Sequence, residues 1–96
     1  MSKMETGDEK RMKQFTYVVT DEIGIHARPA GLLAKEAKQF QSTVMLACNG
    51  KSAAANKLMA VMGMGVKQGN SVEVSIEGPD EDAAYEAMEK FFQENL

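Results

Sequence analysis

His26 is the one histidine of the chain, and it stands in the run Gly24-Ile25-His26-Ala27-Arg28-Pro29-Ala30. That run passes from a glycine-containing loop into an apolar-periodic segment, so the ring is predicted at the start of a helix. Helix starts leave backbone N–H groups without acceptors and form the positive end of the helix dipole. A neutral ring there keeps a lone pair on one nitrogen and is a nucleophile. A phosphoryl group taken onto that nitrogen would meet the helix N–H donors, the usual anion site. Arg28 adds a permanent cation able to bridge phosphate oxygens. Pro29 suits a first turn, where its missing N–H costs little. Residues before proline avoid helical geometry, so Ala27 and Pro29 are both open as the first helical residue.

The plainer reading of a lone histidine is a surface group that only titrates. Other chemistry is sparse. The chain has no Ser-His-Asp spacing and no glycine-lysine phosphate loop, and no cofactor is implied. There is also no Cys/His cluster for a metal. Cys48 cannot form an internal disulfide and reads as structural, since only Lys51 is near enough in sequence to activate a thiol.

The elements that must position His26 follow from periodicity. Phe15, Tyr17 and Val19 alternate with Gln14, Thr16 and Val18, the signature of a strand with one buried face. Thr20 to Gly24 is a loop. A helix is predicted from about Ala27 to Phe40, with Leu32, Leu33, Ala37 and Phe40 as its apolar stripe. Thr43 to Cys48 is a strand, Asn49-Gly50 a type I′ hairpin turn, and Lys51 to Ala55 the returning strand. A short helix spans about Lys57 to Met62 and ends at Gly63 and Gly65. Val72, Val74 and Ile76 mark a strand over Ser71–Glu77. Asp80 is the expected N-cap of a last helix whose buried face is Ala84, Met88, Phe91 and Phe92.

The order β-α-β-β-α-β-α predicts an α+β open-faced sandwich: a four-stranded antiparallel sheet with three helices on one face. With 96 residues this is one domain, taken as residues 12–96 behind a polar tail, 1–11, that carries three bases and three acids. Lys+Arg 11 against Asp+Glu 14 gives a net charge of -3, which argues against a nucleic-acid or anionic-membrane partner. An RNA-binding module of this topology would also stack bases on exposed sheet aromatics, and aromatics are only 6% here. No segment approaches the roughly 20 apolar residues of a membrane span. No export segment is visible, and with the unpaired Cys48 this leads to the expectation of a cytoplasmic location. Leu58, Met59, Val61, Met62 and Met64 are more apolar than a short helix needs for one buried face. Core packing accounts for Val61, and an adaptable Met-rich docking surface is the alternative for the rest.

The residues G-I-H-A-R-P-A, then N-G-K-S, then a Met-rich short helix, then E-G-P-D-E, resemble the HPr family. Those proteins are histidine-containing phosphocarriers of the bacterial phosphoenolpyruvate-dependent sugar phosphotransferase system. The likeness covers about Met12 to the C-terminus. It implies that His26 accepts a phosphoryl group on Nδ1 from enzyme I and passes it to permease A domains. The chain would then be a monomeric, stoichiometric carrier and not a turnover enzyme. By the same resemblance Arg28 supports the phosphate, and Lys35, Leu58, Met59 and Met62 dock partners. Many members carry a regulatory serine where this chain has Lys57, so a serine switch is not expected. Gly31 and Gly63-Met64-Gly65 also depart from the commoner residues. The alternative is a regulatory paralogue, an interaction module that binds regulators in a non-sugar branch.

Overall fold

The computed structural model of the chain describes residues 13–96; the expected tail at 1–11 and the domain start at Met12 lie outside the described residues. The elements are β1 (Lys13–Val18), α1 (Ala27–Ala37), β2 (Thr43–Cys48), β3 (Lys51–Ala54), α2 (Leu58–Met62), β4 (Ser71–Glu77) and α3 (Glu81–Asn95). Their order is the predicted one. The sheet runs β1-β4-β2-β3, with every neighbouring pair antiparallel.

Register explains which face the helices cover. Phe15 pairs with Val74, Val74 with Leu46 and Leu46 with Ala53, so one row of apolar side chains crosses all four strands. Side chains alternate along a strand, and the adjacent row, Gln14, Ser75, Met45 and Ala54, therefore faces the other way. There the Gln14 amide donates to the Ser75 hydroxyl at 3.1 Å. Val72, Val74, Ile76 and Leu46 are fully buried beneath Leu33, Val61, Met88 and Phe92. Edge-to-face rings lock α3 onto β1: Phe92 lies 5.8 Å from Phe15 and 5.6 Å from Tyr17. Such contacts add to simple area burial. The Asn49-Gly50 turn has φ of 57° and 77°, as a type I′ hairpin requires.

Several expectations need correction. Helix α1 ends at Ala37, three residues before Phe40. Its apolar face is Pro29, Ala30, Leu33, Ala34 and Ala37, while Leu32 points to solvent. Leu32 lies about 200° around the helix from Ala30, so the packed stripe excludes it. Asp80 does precede α3 as its N-cap residue, but its carboxylate does not cap that helix. It accepts instead from the backbone N–H of Gln41 at 2.9 Å, from that of Ser42 at 2.8 Å, and from the Ser42 hydroxyl. Those bonds, the Ser42 hydroxyl first, hold the Asp80 carboxyl below the usual carboxylate range. The captured turn at Gln41 and Ser42 lies between the end of α1 and the start of β2. Helix α2 begins at Leu58, with Lys57 outside it as the N-cap.

Candidate functional site

His26 is the N-cap of α1, in extended geometry with φ -120° and ψ -171°. Its carbonyl accepts the N–H of Ala30 at 2.9 Å and so opens the helix. The helix therefore starts at Ala27, and Pro29 falls at its third position. No side chain caps this end. By helix geometry the N–H groups of Ala27 and Arg28 have no intrahelical acceptor, and Pro29 has none to offer. The His26 ring is half-buried and Arg28 is exposed. Together with Asp21, Pro29, Leu32, Glu94 and Asn95 they line a shallow cleft of about 270 Å³.

The loop before His26 is clamped from two sides. At its start, the backbone oxygen of Leu96 accepts from the N–H of Thr20 at 2.6 Å, from that of Asp21 at 2.8 Å, and from the Thr20 hydroxyl at 3.0 Å. The Asp21 carboxylate then accepts the N–H of Ile23 at 2.8 Å, an Asx turn. At its end, the N–H of Ile25 donates to the Val66 carbonyl at 3.1 Å, and the Ile25 side chain is buried. A half-exposed ring thus sits on a fixed backbone, which is what a transfer step requires of its nucleophile.

The remaining expected residues lie apart from this cleft. Lys35 is exposed on α1, seven residues or about 10 Å along the axis from Arg28 and on the same side. Helix α2 leaves Leu58, Met59 and Met62 open to solvent while Val61 and Met64 are buried. Leu58 and Met59 line a second hollow, about 520 Å³, with Lys38, Asn56, Lys57 and Ala60. Cys48 is buried, and burial pushes its thiol pKa up, the opposite of activation. Sequence reasoning missed Asp21 and the Leu96 backbone oxygen. The Asx-turn pattern at Asp21 was readable; nothing local marks Leu96.

Among the described residues no group of three or more His, Cys, Asp or Glu side chains could hold a metal, and no described helix is long and apolar enough to cross a membrane.

Fold and site define an open-faced sandwich domain that presents a single histidine at a helix start. The family model for the PTS HPr component phosphorylation site matches residues 13–94. A phosphocarrier protein HPr of Mycoplasma capricolum is 38% identical over 79 residues, covering 82% of this chain and 89% of the relative. One from Lysinibacillus sphaericus is 40% identical over 77 residues, covering 80% and 88%. The solved structure of a mycoplasma histidine-containing phosphocarrier protein superposes with a TM-score of 0.80 at 37% identity, covering 82% of this chain and 90% of that one. The chain belongs to the HPr family, the phosphocarrier proteins of the phosphotransferase system.

Proposed function

We propose that this chain accepts a phosphoryl group on Nδ1 of His26 from phosphorylated enzyme I and hands it to the A domains of sugar permeases. The observation that carries this reading is the His26 N-cap: a half-exposed ring beside two N–H groups without intrahelical acceptors and one arginine. The Nδ1 lone pair attacks the phosphorus of the donor's phosphohistidine. A new N–P bond forms as the old one breaks, and its electron pair stays on the donor's ring. The phosphoryl oxygens then lie where the N–H groups of Ala27 and Arg28 and the Arg28 guanidinium neutralise them. Acceptors reverse the step, so the protein is a stoichiometric carrier that is itself a substrate in each transfer.

Lys35, Leu58, Met59 and Met62 form the docking surface in this reading. The exposed thioethers let one patch accommodate unlike partners. The carrier acts as a monomer in the cytoplasm, with no cofactor. A competing reading, a regulatory paralogue of a non-sugar branch, draws on Lys57, which stands where the resemblance implies a regulatory serine in many members. Partner capture with and without phosphoenolpyruvate and enzyme I separates the two. Capture that depends on phosphorylation of His26 and includes permease A domains supports the carrier; a partner set indifferent to it supports the module.

A further inference from the structure

Asp21 lines the His26 cleft and is held at three points. Its N–H donates to the Leu96 backbone oxygen at 2.8 Å, and its carbonyl accepts the N–H of Gly24 at 3.0 Å. Its carboxylate accepts the N–H of Ile23 at 2.8 Å. That Asx turn needs an acceptor oxygen and no charge, because the amide oxygen of an asparagine accepts the same N–H. The turn therefore leaves the negative charge of Asp21 unexplained.

The charge shares the cleft with His26, Arg28 and a second carboxylate, Glu94. Asp21 is half-buried and Glu94 is exposed at the end of α3. Arg28 neutralises neither of them: the one ion pair among the described residues is Lys13 with Asp82, at 3.1 Å. Two carboxylates thus stand against one guanidinium around the ring that is to take up an anion.

A phosphoryl group brings about two negative charges at neutral pH. The helix-start N–H groups and the Arg28 guanidinium attract it, and the two carboxylates repel it. The cleft, about 270 Å³, is comparable in span to the Debye length, about 10 Å, so salt weakens that repulsion without erasing it. Attraction alone would make phospho-His26 a trap, since stabilising a bound state without its transition state slows departure. A carrier must release as readily as it accepts.

We propose that Asp21, with Glu94 as a second and more exposed charge, sets the transfer potential of phospho-His26. Their repulsion raises the free energy of the phosphorylated carrier and favours delivery to the acceptor. Asp21 acts on the phosphoryl group through space, and its Asx turn fixes the position from which it does so. This inference rests on the phosphocarrier reading and adds to it the residues that keep the phosphoryl group easy to give up.

The test is the equilibrium distribution of phosphoryl groups between enzyme I and the carrier. It is read by intact mass after mixing phosphorylated enzyme I with the wild-type chain, Asp21→Asn, Asp21→Ala or Glu94→Gln, at low and high salt, with thermal melts alongside. Asp21→Asn keeps the Asx turn and removes only the charge. It should melt like wild type and shift the equilibrium toward the phosphorylated carrier by roughly two- to tenfold. The shift should narrow at high salt. Glu94→Gln should move the equilibrium the same way by less, and it carries the test on its own if Asp21→Asn does not fold. Asp21→Ala loses the turn as well and should melt lower than wild type. A purely structural aspartate would leave Asp21→Asn at the wild-type equilibrium and disturb only Asp21→Ala. An equilibrium unchanged in the folded charge-removing variants, or moved away from the carrier, overturns the charge role and leaves the carrier reading intact. Absence of phosphorylation of the wild-type chain overturns both.

Discussion

Gly24 passes so close to Val66 that a Cβ on Gly24 would lie 2.2 Å from the Val66 carbonyl oxygen. The same oxygen accepts the N–H of Ile25 at 3.1 Å, one residue before His26. Gly24 also has φ of 86°, a conformation open to glycine and strained for other residues. One contact between two distant loops thus sets the height and direction from which the chain enters α1.

Gly24→Ala should therefore damage both fold and transfer. Backbone strain alone costs about 1–3 kcal/mol, and the clash with Val66 adds to it. Denaturant unfolding reads the loss of stability, and the rate of phosphoryl uptake at a temperature where the variant is folded reads the displacement of His26.

Arg28 and His26 lie in one cleft, and Arg28 is exposed. Arg28→Ala should leave stability within about 0.5 kcal/mol and slow phosphoryl transfer by roughly 10- to 100-fold. Arg28→Lys should recover only part of this, because an ammonium lacks the planar fork that spans two phosphate oxygens. Steady-state transfer assays on the two variants provide the comparison.

Met59 and Val61 stand two residues apart on α2 and should separate docking from folding. Val61 is fully buried and Met59 is 76% exposed. Val61→Ala should cost about 1–3 kcal/mol of stability. Met59→Ala should leave stability nearly unchanged and raise KM for transfer. Equal effects of the two substitutions on KM at matched stability would remove Met59 from the docking surface.

Asp80 should make stability depend on acid. Its carboxyl lies below the usual range because the Ser42 hydroxyl and the N–H groups of Gln41 and Ser42 donate to the charged form. A depressed value means the stabilisation is fully present above the unfolded-state value, about 4. It is lost as pH falls through the lower folded value. Asp80→Asn should therefore be less stable than wild type at neutral pH, with the gap closing below about pH 4. Thermal melts across pH 2 to 7 (about that range) check the sign.

The parts of this molecule that follow local rules were legible in the sequence. The two-residue period of Val72, Val74 and Ile76, the Asn49-Gly50 turn, and the helix start at His26 each declare themselves over a few residues. What escaped is long-range. Leu32 looks like a core residue until the direction of packing selects Ala30, Leu33, Ala34 and Ala37 instead. Asp80 looks like a cap until the α1–β2 turn comes near enough to claim its carboxylate. The Leu96 backbone oxygen becomes part of the His26 loop only because the end of α3 packs there, 76 residues from Thr20. Local patterns are read along the chain, whereas the partners of the Asp80 carboxylate and of the Leu96 backbone oxygen are set by topology.

The most direct test of the central claim is incubation with phosphoenolpyruvate and enzyme I, followed by intact-mass and phosphorus NMR measurements. One added phosphoryl group, labile in acid and absent from a folded His26→Ala variant, is the result expected. Contradiction would come from no addition to the folded wild-type chain by a competent enzyme I, or from uptake that persists in His26→Ala.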